Sequence, residues 1–419
     1  MNFSAIFDKM KNKDGGDYMA SYTKHMYCKD IDNIKKELSE ILKTLVPVLP
    51  QNYNCDTIVQ LLQEYYPLEW QLINEKYEYY SVKDKSLVRL GKKKRYSMST
   101  PLSLLQSLCI YNRILSKQYM DNHTASFSPE SYLENVRELT ARRSPKIKTR
   151  IDKLEQAKKK AQAVEPTFLD ALIGLYNRKT TSQKDKIYIL LELEKYYCPK
   201  VIKFLCKKVD TEYNRQLREL CFYHLQSWGH FSAPLRRQKY MRIPSKNKKR
   251  RKYLKTIYAN EHFDIKAIPE ELEYRIENSK EQKIKSFDFF ISHSSNDYSL
   301  VQSLIQNLNE KKCNVYCDWI SDTDYLKRKL VCEATLRVIE KRIEQSKSIM
   351  FVGSQYSYNS KWVKYELNYA YSLRKPIYIV NVDAIAEGKF SYEPCTDIWF
   401  FNENYKNIKL FEDRQQVVN

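Results

Sequence analysis

Between residues 30 and 228 the apolar side chains recur every three to four positions, with almost no strict alternation. That is the spacing of helices that bury one face. "DIDNIKKELSEILKTLV" (30–46) sets Ile34, Leu38, Ile41, Leu42 and Leu45 on one side of a helix. "DTIVQLLQEYY" (56–66), "PLSLLQSLCIYNRIL" (101–115) and "SPKIKTRIDKLEQAKKKAQA" (144–163) predict three more. From 184 the helices read as pairs: Ile187, Leu190 and Leu191 find counterparts about thirty residues on in Leu217, Leu220 and Cys221, and Pro199 opens the second helix of a pair. The segment 166–229 is therefore expected to be a HEAT-like hairpin array, with ordinary helical packing as the alternative.

The pattern changes after about residue 283. "SFDFFISH" (286–293), "CNVYCDW" (313–319), "SIMFVGS" (348–354), "KPIYIVNV" (375–382) and "DIWFF" (397–401) predict strands. Amphipathic stretches at 296–312, 324–346 and 359–373 predict helices between them. Apolar strands alternating with helices imply a parallel sheet covered on both faces. In such folds sites gather at the carboxyl ends of the strands, where "HSSND", "DWISD" and "SQYSYNS" follow directly.

Charge divides the chain at the same place. The net charge is +21, yet 284–419 holds 18 basic and 17 acidic residues, leaving +20 for the rest. The expected organisation is a helical sensor or assembly region over 1–235, a basic linker over 236–283, and an α/β domain over 284–419. "RRQKYMRIPSKNKKRRKYLKTIY" (236–258), with eleven Lys and Arg, has the composition of a nucleic-acid-binding stripe or of a solvated linker. No stretch is apolar enough to cross a membrane, the first residues lack the apolar run of a secretory signal, and ten Cys occur without a CxxC pair. These features lead us to expect reduced thiols and a cytoplasmic protein.

Seven glycines build neither GxGxxG nor GxxxxGK[ST], and HExxH and GxSxG are absent, which argues against the common dehydrogenases, P-loop NTPases, zincins and nucleophile-elbow hydrolases. Cys221, His224 and His230 are read as core and surface residues of one helix, so no metal centre is expected. What stands out is Glu366 in "NSKWVKYELNYAYSL". Its helical neighbours are Trp362, Val363, Tyr369 and Ala370, so no cation pairs with it along the helix.

The ordered set "FDFFISHSSND … VYCDWISD … SIMFVGSQYSYNSKWVKYELNYA … KPIYIV" resembles the TIR (Toll/interleukin receptor) domain family over about 284–405, closest to bacterial members with a tryptophan four residues before the glutamate. The resemblance implies a flavodoxin-like fold with a five-stranded parallel sheet. It also implies cleavage of the nicotinamide–ribose bond of NAD⁺, giving ADP-ribose or a cyclic isomer, with NAD⁺ as substrate and no cofactor. Glu366 takes the family's essential position and Trp362 the one that stacks on the ligand. Asp318 matches an acidic position near the substrate, and His293, Ser294 and Ser295 lie where the first loop approaches ribose and phosphates. Trp319 and Tyr365 are further expected substrate contacts. Some eukaryotic relatives in the family have arginines in that loop where this chain has serines, so the backbone N–H groups of Asn296 and Asp297 are expected to serve instead.

By the same resemblance, copies associate through the loop after the second strand (319–330), which "ISDTDYLKRKL" suggests is exposed and charged. Activity would be released by an infection-derived trigger, in antiphage defence. The chemistry is consistent with one carboxylate: nicotinamide leaves as a neutral molecule, so no general acid is needed, and a single anion can stabilise the oxocarbenium-like charge. Burial by Trp362 and Tyr365 should raise the pKa of Glu366. Two other readings stay open, a non-catalytic TIR adaptor and a nucleic-acid-binding sensor.

Overall fold

The computed structural model describes residues 15–230, 241, 243, 245–387, 390–396, 400–407 and 410. The described residues group into two units, one within Met1–Glu155 and Gln226–Met241, the other within Gln156–Leu225 and Arg242–Asn419.

The first unit is helical: α1 (Gly15–Leu45), α2 (Cys55–Tyr65), α3 (Pro67–Arg89), α4 (Pro101–Gln106), α5 (Cys109–Ile114), α6 (Lys117–Ser126) and α7 (Pro129–Lys159). Ile34, Leu38, Ile41, Leu42 and Leu45 are all buried in one core with Ile58, Leu62, Leu105 and Ile114. Asn54 starts α2 by accepting the Thr57 N–H, while the Thr57 hydroxyl takes the Asn54 N–H. Two expectations change here. The helix predicted over 101–115 breaks into α4 and α5, because Leu108 leaves helical geometry (ψ 133°) to bury its side chain. The helix predicted from 144 begins at Pro129 and runs through Pro145.

The second unit opens with α8 (Leu169–Asn177), α9 (Gln183–Leu193), α10 (Pro199–Thr211) and α11 (Arg215–Ser227), with Pro199 at the start of α10. Ile187, Leu190, Leu217 and Cys221 are buried, whereas Leu191 and Leu220 are half-buried. The segment 236–283, expected as a linker, contains α12 (Lys248–Tyr253), α13 (Pro269–Asn278) and α14 (Lys280–Lys283); residues 231–240, Arg242 and Pro244 lie outside the described residues.

Then comes the α/β part: β1 (Phe287–Ser292), α15 (Tyr298–Glu310), β2 (Val315–Tyr316), α16 (Asp318–Ser321), α17 (Glu333–Gln345), β3 (Ser346–Val352), α18 (Gln355–Asn359), α19 (Lys361–Ser372), β4 (Ile377–Val380), α20 (Val382–Ala386) and β5 (Tyr392–Pro394). The sheet order is β2-β1-β3-β4-β5. β2, β1, β3 and β4 are parallel, and β5 pairs antiparallel with β4. The sheet is thus mostly rather than wholly parallel, and its last strand is Tyr392–Pro394. Of the strand predicted over 397–401, residues 397–399 lie outside the described residues, and Phe400 and Phe401 are not in a strand.

Alternation along the strands feeds two cores. Ile349 and Phe351 pack with Ile339, Ile343, Val363 and Leu367 of α17 and α19. Met350 and Val352 pack with Val301, Leu304 and Ile385 of α15 and α20. Gly353, just after β3, sits where a Cβ would lie 3.0 Å from the Ile379 side chain, which would have to give by a few tenths of an ångström to admit one.

The helical layer of this unit closes the outer edge of β2. The Gln162 amide donates to the Val315 carbonyl (2.7 Å) and accepts its N–H (3.0 Å), acting as a one-residue strand that blocks further pairing. Beside it, Asp322 accepts from Arg342 Nε (2.9 Å) and Lys195 (3.1 Å), and Glu192 accepts from Lys195 (3.1 Å), Lys285 (2.7 Å) and Gln282 (2.8 Å). Tyr325 is held by Arg275 (3.1 Å), whose guanidinium lies 3.5 Å from the centre of the Tyr188 ring. The loop expected to be exposed is therefore anchored: Ile320, Ser321, Asp322 and Tyr325 are buried, while Thr323, Asp324 and Lys327 face solvent. These anchors also explain why the helix predicted from 324 starts only at Glu333.

Candidate active site

Glu366 reaches the carboxyl end of β1 because α19 packs across that strand. Val363, Leu367 and Ala370 enter the core with Phe290, leaving Glu366 beside the strand's last residue. Ser360 caps the helix by accepting the Val363 N–H (3.3 Å). Ser292, two residues beyond Phe290, faces the same helix and donates its hydroxyl proton to Glu366 Oε2 at 2.5 Å. Among the described residues no cation pairs with this carboxylate. Burial pushes its pKa up to about 8, the Ser292 hydrogen bond works against that, and the Asp318 charge adds to it. Trp362, one turn earlier, is half-buried against the same core.

Asp318 begins α16, half exposed, and its Oδ1 accepts the Trp319 N–H (2.9 Å). His293 follows Ser292 directly; its Nε2 lies 3.8 Å from Asp318 Oδ1 and 4.0 Å from Cys317 Sγ. The loop after β1 is stitched to the loop after β3. The buried Asp297 accepts from the hydroxyls of Ser354 (2.6 Å) and Ser357 (3.0 Å), and the Ser294 N–H donates to Ser357 Oγ (2.9 Å). Ser295 is exposed on that loop. The Asp297 N–H, expected as a phosphate donor, is taken by the Ser294 carbonyl (2.9 Å), and the Asn296 N–H points to Ser294 Oγ (3.4 Å).

Glu366, Trp362, His293, Ser294 and Asp318 thus share the rim of β1, β2 and α19. Two expected residues point elsewhere. Tyr365 turns its hydroxyl to Glu340 and its ring to Tyr405, because adjacent helical residues diverge by about 100°. Trp319 packs at a tilt against Tyr298 (4.5 Å between ring centres) and lines a cavity of about 590 Å³ with Glu194, Lys195, Asp324 and Tyr325. The lining of that cavity includes neither Glu366 nor Trp362. Of the histidines weighed for a metal, His224 sits 3.7 Å from Glu194, and Cys221 is core. Ser292 was missed as a site residue, while Cys317 is buried in the core, as a small apolar residue would be. The signal for Ser292 was a serine in phase with Phe290 at the end of an otherwise apolar strand.

A mostly parallel five-stranded sheet with one desolvated glutamate on the helix after β3 defines a class, and the family model for the TIR domain matches residues 289–413. The chain belongs to the TIR-domain family. It is 37% identical over 371 residues to the "Putative cyclic ADP-D-ribose synthase TIR2" of Cytobacillus dafuensis, covering 88% of this chain and 94% of that one. It is 31% identical over 129 residues to the "Probable 3' cyclic ADP-D-ribose synthase ThsB'" of Bacillus cereus (strain MSX-D12), covering 30% of this chain and 65% of that protein. No solved structure matches at a significant level.

Proposed function

We propose that this chain cleaves the nicotinamide–ribose bond of NAD⁺ and closes the ADP-ribosyl product into a cyclic isomer, acting in antiphage defence. The observation that carries the reading is Glu366, a desolvated carboxylate with a serine hydroxyl and, among the described residues, no cation beside it, at the carboxyl end of the sheet. An anion with a pKa near 8 is costly in the free protein. A cationic pyridinium substrate offsets that cost, and the oxocarbenium-like charge that develops at the ribose offsets it further. Trp362 stands one turn away on the same helix, and its indole would hold the nicotinamide ring by cation–π attraction of roughly 0.5–2 kcal/mol.

Ser292 orients the carboxylate, while His293, Ser294 and Asp318 stand where the sugar and phosphates would lie. The names of both relatives favour a cyclic over a linear product. We further assign trigger sensing and self-association to the helical region and the surface around it, in the cytosol. No described helix is long and apolar enough to cross a membrane.

The test is incubation of the purified full chain with NAD⁺ at several protein concentrations, resolving nicotinamide, ADP-ribose and cyclic ADP-ribose by chromatography, beside Glu366→Gln. Nicotinamide release that the substitution abolishes, with a cyclic product, supports the reading. Equal release by both proteins removes Glu366 from the chemistry. Silence of both at every concentration, and on clustering, leaves the adaptor.

A further inference from the structure

His293, Cys317 and Asp318 come from two neighbouring strand ends, and their donor atoms form a nearly equilateral triangle. His293 Nε2 lies 4.0 Å from Cys317 Sγ and 3.8 Å from Asp318 Oδ1, and Cys317 Sγ lies 3.9 Å from the same oxygen. The centre of such a triangle is about 2.3 Å from each corner, bonding distance for zinc to sulfur and slightly long for zinc to nitrogen and oxygen. The donor set of imidazole, thiolate and carboxylate is one that zinc takes.

The imidazole is also oriented for ligation. Its Nδ1 faces the Ile291 carbonyl at 3.2 Å, and a carbonyl can only accept, so Nδ1 carries the proton and Nε2 presents its lone pair to the triangle. The cation has a way in, because Asp318 is half exposed while His293 and Cys317 form the buried floor. Spacing along the chain hid the trio: His293 is 24 residues from Cys317, and only the pairing of β1 with β2 joins them.

We propose that His293, Cys317 and Asp318 form a binding site for a zinc-class divalent cation, and that its occupancy switches off the adjoining Glu366 site. On binding, the cation replaces the thiol proton of Cys317, which leaves to solvent, and the fourth position stays open to water. The thiolate and the carboxylate then offset the two positive charges of the cation, so the cluster beside Glu366 goes from a net charge of −1, carried by Asp318, to zero. A cationic substrate loses the anion that faced it there, and two groups of the rim are withdrawn from it. This inhibitory consequence rests on the proposed NAD⁺ chemistry; the metal site does not.

The experiment titrates the full chain with Co²⁺ and follows the near-ultraviolet thiolate-to-cobalt charge-transfer absorption, which needs no NAD⁺. The wild type should show the band, saturating at one equivalent and bleached by Zn²⁺. Cys317→Ala should lose the band, whichever of the other nine cysteines remain. Should Cys317→Ala fail to fold by circular dichroism, Asp318→Asn, at an exposed position, should keep the band with cobalt affinity at least about tenfold weaker.

Absence of the band, its persistence in Cys317→Ala, or unchanged affinity in Asp318→Asn overturns the site. With NAD⁺, Zn²⁺ should lower nicotinamide release at least about tenfold in the wild type, and the ratio with and without zinc should approach one in Cys317→Ala. Cobalt binding without that inhibition overturns the switch and keeps the site. A cobalt band in a protein that never releases nicotinamide sinks the NAD⁺ reading and leaves the site standing.

Discussion

Around Glu192 and Asp322 two buried carboxylates meet Lys195, Lys285 and Arg342; around Glu366 one carboxylate meets a serine and, among the described residues, no cation. Burial opposes ionisation in both places. In the first, Lys195, Lys285 and Arg342 hold both carboxyls well below their usual range, and Lys285, buried beside two other cations, is pushed down to about 7. In the second, burial wins and Glu366 rises to about 8. Glu194, two residues beyond Glu192, behaves like Glu366: burial carries it to about 8. The same physics therefore yields a structural fastener where charges are matched and a group open to a cationic ligand where they are not.

The comparison breaks first at Glu366. Glu366→Gln should cost at least about 10²–10³-fold in nicotinamide release, the scale of losing a preorganised charge in a water-poor site, while leaving the fold intact. Release within a fewfold of wild type would place the chemistry elsewhere. Next in size, Arg342→Met leaves Asp322 with Lys195 alone and should destabilise the protein by about 3–5 kcal/mol, read as a lower denaturant midpoint. Adding Asp322→Leu should recover much of that loss, because a matched apolar pair no longer strands a charge. A loss under 1 kcal/mol in the single variant would show that the cluster does not fasten the loop.

How much of this could be read beforehand follows the range of the interactions. The change of period at 283, the face of α1 and the absence of a helical partner for Glu366 are local properties, and all were legible in the pattern. The burial of the 319–330 loop was not. Asp322 is fixed by Lys195 and Arg342, 127 and 20 residues away, and nothing in "ISDTDYLKRKL" announces them. Tyr365 was placed near Glu366 by adjacency in sequence, yet helical geometry turns neighbours apart and Glu340 claims its hydroxyl. Ser292 lay within the quoted strand, but its partner on α19 is 74 residues on, so only the packed sheet reveals it. The antiparallel β5 falls in a short exposed stretch whose alternation carries no core signal.

Ser292→Ala sharpens the account at the next scale down. Its hydrogen bond favours the ionised glutamate, and bonds to charged groups contribute about 1.5–3 kcal/mol, or roughly one to two pKa units. The pH profile of kcat/KM for nicotinamide release should rise to a plateau through a midpoint near 8 in the wild type and move that far alkaline in the variant, with little change on the plateau. An unmoved midpoint, or a plateau that falls instead, would make Ser292 a packing residue rather than one that positions the carboxylate.

The last effect is a slope of stability with pH. The folded carboxyl titrates near 8 and the unfolded one near 4.5, so between those values the native protein holds a proton that the unfolded chain has lost. The contribution of Glu366 to stability is then complete below pH 4.5 and falls as pH rises to 8, by at most about 1.4 kcal/mol per pH unit. Asp322 and Glu192 slope the other way, losing their contribution only in strong acid, because their folded values lie below the unfolded ones. Unfolding curves from pH 5 to 8 should therefore be flatter for Glu366→Gln than for the wild type, and Glu366→Gln should be the more stable protein at pH 8. Parallel curves would mean that water reaches the carboxylate and holds it ionised, and the contrast with the Asp322 cluster would then lose its basis.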